Sequence, residues 1–174
     1  IDGAEVLAVC DLFEQRARDV AVKHGIPRVY NDYGAMLADA SLDAVSVCTP
    51  SGMHADQAVA AMRAGKHVVI EKPIDVSLDA ADRIIKVSRE TGRHVGVISQ
   101  HRFDGASQLA RQIIEAGELG RIVLATADVK WWRSQGYYDS GDWRGTRALD
   151  GGGALMNQGV HTVDVLQWLA GDVA

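Results

Sequence analysis

Lys72 and His161 are the two residues of this chain best suited to hold or move a proton. Lys72 stands in Glu71-Lys72-Pro73, at the carboxyl end of an apolar run, and Pro73 cannot continue a strand ladder. Ligands bind at such strand ends in open parallel sheets, although a solvated lysine at a loop start has the same pattern. The Lys72–Pro73 bond is a candidate for cis geometry. His161 follows Asn157 by four residues and precedes Asp164 by three, which puts three polar groups on one helical face. A lone histidine on an apolar helix is usually a core residue. Here Gly151-Gly152-Gly153 opens the same helix and permits close backbone approach, which favours a site. An imidazole titrates near neutrality and accepts a proton without further tuning. An ammonium stabilises developing negative charge unless burial or a nearby cation lowers its pKa. The expected division is therefore His161 as base and Lys72 as electrostatic partner, with Asn157 beside them.

Other residues fit the surroundings of such a pair. Asp11 ends the first apolar run, where an acid in a nucleotide-binding βαβ unit accepts hydrogen bonds from ribose hydroxyls; it also suits a helix cap. A carboxylate there repels a 2′-phosphate and so favours NAD over NADP. Leu12 and Phe13 offer no arginine in its place, and Arg16 is one turn into the helix. Half of the aromatics (Trp131, Trp132, Tyr137, Tyr138, Trp143) cluster late in the chain, suited to stack on sugar faces or to anchor an interface or core. His24, His54, His67, His94, His101 and His161 show no metal-ligand spacing, so no metal is expected. Cys10 and Cys48 lie late in two strands and read as small buried hydrophobes.

These residues need elements to position them. Residues 5–10, 43–48, 67–71 and 94–99 are short apolar runs, the mark of strands buried on both faces. Helical patterns lie between them: 13–24 with Gly25 as C-cap, a short one through Leu37 capped by Asn31 or Asp32, and 54–64 ended by Gly65. Two more run from Ser77 to Glu90, ended by Gly92, and over 104–116. Strands separated by single helices imply right-handed crossovers and a parallel sheet. Its carboxyl ends carry Asp11, Thr49-Pro50, Glu71-Lys72-Pro73 and Gln100-His101-Arg102. From residue 121 the pattern changes: Arg121 to Arg133 predicts one longer strand, and the triple glycine opens a helix through Leu169. A boundary near 115–121 gives domains over 1–118 and 119–174.

Composition narrows the classes. The 174 residues carry 18 Lys+Arg and 23 Asp+Glu, a formal charge of −5, with 47% hydrophobic and 24% charged residues. That is the balance of an ordinary globular protein. No apolar run approaches the roughly 20 residues of a membrane helix, and no basic excess marks a nucleic-acid partner. Two cysteines are too few for a disulfide scaffold, so a cytoplasmic setting is expected; an export signal ahead of Ile1 would override it. The chain opens on Ile1-Asp2-Gly3-Ala4 and stops at Gly171-Asp172-Val173-Ala174, so a piece of a longer protein is expected.

Three motifs occur in order: Cys48-Thr49-Pro50 with His54; Ala64-Gly65-Lys66-His67-Val68 with Glu71-Lys72-Pro73; and Gly151-Gly152-Gly153 with Gly159, His161, Asp164, Trp168-Leu169 and Gly171. In these the chain resembles the glucose-fructose oxidoreductase / inositol dehydrogenase / rhizopine catabolism (Gfo/Idh/MocA) family. The resemblance implies an α/β fold: an incomplete, doubly wound Rossmann domain with a parallel sheet, then the start of an α+β domain on a mostly antiparallel sheet. It implies an oxidoreductase moving hydride between NAD(P), here NAD, and a CH–OH carbon of a sugar, nucleotide sugar or cyclitol. Carried over by position, Asp11 holds the adenine ribose, while Thr49, Pro50 and His54 line the cofactor cleft. Glu71 and Lys72 lie near the nicotinamide ribose and substrate, Gln100 and Arg102 border the nicotinamide, and His161 is the catalytic base. Lys72, Asn157 and His161 touch substrate, joined by Trp143 and Arg144.

Asn157 stands where the commoner family pattern has Asp four residues before the histidine, a change met among members of nucleotide-sugar type. A homo-oligomer is implied for the full-length protein. The alternative is a non-catalytic NAD(P)-binding regulator of the same fold; the presence of both Lys72 and His161 favours catalysis, because a sensor needs no proton acceptor. In the family's strand order, the Gly-rich turn about 20 residues before Asp11, and the strand before it, fall outside the sequence. The chain alone is therefore expected to bind NAD weakly or not at all, and strands 5–10 and 43–48 to lack their shared neighbour. Cys10 and Cys48 are then about 9.5 Å apart, too far for a disulfide.

Overall fold

The computed structural model describes residues 2–172. β1 (Ala8–Cys10) and β2 (Arg28–Tyr30) run parallel, Val9 opposite Val29, with α1 (Glu14–His24) crossing between them. After the short helix α2 (Tyr33–Leu37) come β3 (Ala44–Val47), α3 (His54–Arg63), β4 (His67–Ile70), α4 (Leu78–Thr91) and β5 (Val95–Val97). β3, β4 and β5 form a second parallel sheet with β4 in the middle. Helix ends follow the predicted chemistry. Asp32 and Ser77 accept the N–H groups of Ala35 and Ala80, while Gly25 and Gly92 close α1 and α4 in the left-handed region.

β2 was not predicted. Three residues after Pro27 hold too little alternation to signal a strand, and their state comes from pairing with β1. β1 and β3 share no ladder bond among the described residues, so the break falls between the two strands expected to lack a common neighbour.

Val45, Val47, Val68 and Ile70 pack under Ala58, Val59 and Met62 of α3 and Ile84 and Val87 of α4. The alternate residues Ala44, Ser46 and Val69 are exposed, which corrects the expectation of strands covered on both faces. One layer of helices covers β3 and β4. Cys48 continues the open side, with its Sγ 3.5 Å from Ser46 Oγ, and is exposed instead of buried; Cys10 is half-buried. Both thiols are free.

Beyond α5 (Gly105–Glu115) the second correction appears. Residues 121–133 form no ladder, and no antiparallel pairing occurs among the described residues. A strand needs a partner for its N–H and C=O groups, and here Val123, Leu124 and Trp132 lie exposed. Then follow α6 (Gln135–Tyr138), capped by the Ser134 hydroxyl, a π-helical turn (Leu155–Gly159), and α7 (Val160–Ala170).

The two parts of the chain meet closely at Gly52, whose N–H donates to Leu149 O at 3.0 Å. A Cβ there would stand 2.1 Å from the Ala148 carbonyl oxygen, and backbone on both sides leaves little room to give. Gly52→Ala in the full-length protein is expected to cost about 1–3 kcal/mol, as overpacking does. The check is a lower denaturant midpoint at unchanged slope; an unchanged midpoint would mean that loop 146–150 does not rest on this turn.

Candidate active site

The carboxyl ends of β3, β4 and β5 open on a cleft of about 350 Å³. Thr49 and His54 reach it after β3, Glu71 and Lys72 after β4, and Gln100 after β5. Across from them stand Trp143, Arg144, Asn157 and His161. Lys72 and His161, far apart in sequence, thus share one cavity. Asp11, Pro50 and Arg102 are not among its lining residues.

Lys72 precedes a cis Lys72–Pro73 bond, and its Nζ donates to the Asn157 main-chain oxygen at 2.8 Å. Burial pushes its pKa below the usual lysine value; Glu71 and Asp150 pull it back up, and Arg144 pushes it down. His161 is also shifted down, first by burial and then by Lys72 and His101, against Glu71 and Asp164. The ring of His101 meets it edge-on, with centroids 4.8 Å apart. Burial thus disfavours the charged form of both the imidazole and the amine.

The remaining predicted residues divide by role. His54 is buried, with Nδ1 2.8 Å from Pro73 O and Nε2 2.8 Å from Thr49 O, and so ties the β3 and β4 ends together. Thr49 Oγ1 donates to Gln57 Oε1 at 2.9 Å. Asp11 Oδ1 accepts the Phe13 N–H at 2.8 Å in a turn ahead of α1, whose N-cap is Phe13 with no side-chain cap bond, and its other oxygen lies 3.5 Å from Arg16. Arg102 is turned from the cleft into a two-pronged pair with Asp164, at 2.8 and 2.6 Å. The predicted stripe of Asn157, His161 and Asp164 therefore splits. The π-helical turn changes the helical repeat at Asn157, so Asn157 and His161 face the cleft while Asp164 anchors α7 to the turn after β5.

The aromatic cluster splits as well. Tyr137 and Trp143 line the cleft, Trp131 and Tyr138 line a separate, more apolar groove, and Trp132 is exposed. Arg144 is held over the rings of Tyr137 and Trp143, 4.5 and 4.7 Å from their centroids, and Nη1 donates to the Tyr137 hydroxyl at 2.8 Å. Its buried Nε has no partner among the described residues. Gln158 and Asp150 carry no sequence expectation as site residues, and Tyr137 only that of one member of the aromatic cluster. Asp150 had one available signal, an acid directly before the triple glycine.

A Rossmann-type parallel sheet with a lysine and a histidine converging at its carboxyl edge defines a class, and the relatives agree with it. Residues 1–99 match the family described as "Oxidoreductase family, NAD-binding Rossmann fold", and residues 107–174 match the GFO/IDH/MocA C-terminal domain. The chain belongs to the Gfo/Idh/MocA oxidoreductase family. It is similar to 4-carboxy-2-hydroxymuconate-6-semialdehyde dehydrogenase of Sphingobium sp., at 35% identity over 99% of this chain and 53% of the relative. It is also similar to D-glucoside 3-dehydrogenase of Escherichia coli, at 33% identity over 96% of this chain and 47% of the relative. Among solved structures, the WlbA dehydrogenase from Bordetella pertussis in complex with NADH and UDP-GlcNAcA matches with a TM-score of 0.93 and 40% identity, covering 99% of this chain and 53% of that one. The chain spans about half the length of the curated relatives it matches.

Proposed function

We propose that the full-length protein is an NAD-dependent dehydrogenase that oxidises a CH–OH carbon of a carboxylate-bearing nucleotide sugar. The convergence of Lys72 and His161 on one cleft carries this reading. The relatives support it: one was solved with NADH and UDP-GlcNAcA, and another is named for a carboxylated substrate. The residues present suit a dinucleotide. Thr49, Glu71 and Gln100 set a hydroxyl, a carboxylate and an amide at three neighbouring strand ends facing one cavity, a donor and acceptor set for ribose hydroxyls and a carboxamide. Asp11, at the end of β1, is the group for the adenine ribose. Bound NAD supplies the hydride acceptor.

The chain's own groups handle the proton. With the substrate hydroxyl between Lys72 and His161, the neutral imidazole takes the hydroxyl proton as hydride leaves the same carbon, giving a carbonyl and an imidazolium. Lys72 keeps its proton and stabilises the alkoxide character that builds up on the oxygen. The Asn157 carbonyl holds the ammonium in place meanwhile. Depression of the His161 pKa keeps the base in its working form at neutral pH.

Arg144 supports the acidic substrate. It forms no ion pair among the described residues, it lines the cleft, and its guanidinium is held over two rings. A carboxylate is the natural complement of such a guanidinium. The test assays full-length protein with NAD against UDP-GlcNAcA, its counterpart UDP-GlcNAc without the sugar carboxylate, inositols and aldoses. Reduction of NAD is expected on the acidic nucleotide sugar. Arg144→Met is expected to raise the KM for UDP-GlcNAcA about 10- to 100-fold, the loss of a charged hydrogen bond, with little change for UDP-GlcNAc. Turnover of inositols alone would overturn the substrate class, and no turnover with any alcohol would favour the regulator.

A further inference from the structure

Asp150 is 1% exposed, and no Lys, Arg or His forms an ion pair with it among the described residues. A buried carboxylate in that position is costly unless its hydrogen bonds are worth the burial. It accepts two. Gly145 N–H donates to Oδ2 at 2.7 Å and Asn157 Nδ2 donates to Oδ1 at 2.8 Å. The second bond decides how Asn157 stands. A carboxylate only accepts, so the amide must turn its NH2 toward Asp150 and its oxygen the other way. That oxygen accepts from the Tyr137 hydroxyl at 3.2 Å and from Gln158 Nε2 at 2.9 Å. The Tyr137 oxygen in turn accepts from Arg144 Nη1 at 2.8 Å and Gln158 Nε2 at 3.3 Å, and Gln158 Oε1 accepts from Arg133 at 3.1 Å. Apart from the Gly145 N–H, the donor arrows in this network run from an arginine, which only donates, toward Asp150.

We propose that Asp150 is a positioning residue of the site: as the acceptor-only end of this chain it fixes the amide of Asn157, and through it Tyr137 and Arg144, in one hydrogen-bond direction. An amide at 150 would accept or donate equally well, so Asn157 would be free to flip and Tyr137 to lose its acceptor. Asn157 also holds Lys72 through its main-chain oxygen, so the same residue positions the ammonium. The charged groups facing Lys72 are Glu71 and Asp150, which favour its protonated form, and Arg144, which opposes it; His161 is coupled to Lys72 as well. Asp150 is thus the buried negative charge that offsets the two cations of the cleft. The kinetic part of this proposal rests on the dehydrogenase reading; the titration part does not.

The experiment compares Asp150→Asn, Asn157→Asp and the exchanged pair Asp150→Asn/Asn157→Asp in the full-length protein. In the exchanged pair a carboxylate at 157 still accepts from Tyr137, and an amide at 150 still accepts from Gly145 and donates to 157. Each single variant is expected to raise KM for UDP-GlcNAcA about tenfold, and the pair to return within about threefold of the parent. Independently, NMR titration of lysine-labelled protein is expected to show Lys72 losing its proton at lower pH in Asp150→Asn than in the parent. A folded Asp150→Asn protein with parental KM and parental Lys72 titration would overturn the proposal. So would an exchanged pair that folds yet performs no better than its singles. If no alcohol is turned over at all, the Lys72 titration still decides the role of Asp150, and the dehydrogenase reading fails separately.

Discussion

His161→Ala in the full-length protein is expected to lower kcat about a hundredfold to ten-thousandfold, the range for removing a general base, the role proposed for it. The sign of the pH effect follows from its surroundings. In the proposed mechanism the base works as the neutral ring, so kcat/KM of the parent is expected to rise with pH as the imidazolium deprotonates. Burial, Lys72 and His101 all disfavour the charged ring, so the midpoint of that rise lies below the ordinary histidine value of 6.5. His161→Ala is expected to erase the rising limb together with the rate. Parental kcat with the limb intact would assign the proton to another group.

Lys72→Met is expected to lower kcat/KM about a hundredfold to a thousandfold, as loss of a fixed charge beside a developing oxyanion does. Lys72→Arg is expected to recover little. A guanidinium is a planar fork, and the compact ammonium is held by a single main-chain oxygen, Asn157 O. The high-pH behaviour separates a cation from a base at this position. As a cation, Lys72 must stay protonated, so the parental rate falls as pH rises through a pKa that burial has moved below 10.5. As a base it would give the opposite slope. A Lys72→Met enzyme with near-parental kcat/KM would remove the residue from the chemistry.

The convergence of these two residues was legible in the sequence because each sits at a marked place. One ends a buried run before a proline, and the other lies on a helix opened by three glycines. Caps were legible for the same reason: Asp32, Ser77, Gly25 and Gly92 act locally. What escaped depends on contacts distant in sequence. β2 is a strand because β1 lies beside it, and 121–133 is not one because no strand pairs with it among the described residues. Gln100 and Arg102 looked equivalent after the fourth predicted strand, yet a single 3₁₀ turn sends one to the cleft and the other to Asp164. Asp150 and Tyr137 matter through a hydrogen-bond direction, which no spacing rule encodes. Cys48 looked like core because its neighbours are apolar, but the sheet is covered on one side only.

A crystal structure of the full-length protein with NAD and UDP-GlcNAcA tests the shared cleft most directly. The reacting hydroxyl oxygen is expected within hydrogen-bond reach, about 2.6–3.2 Å, of both Lys72 Nζ and a His161 ring nitrogen, with its carbon against the nicotinamide and the substrate carboxylate on Arg144. A sugar bound elsewhere, or one whose reacting carbon touches neither Lys72 nor His161, would contradict the account.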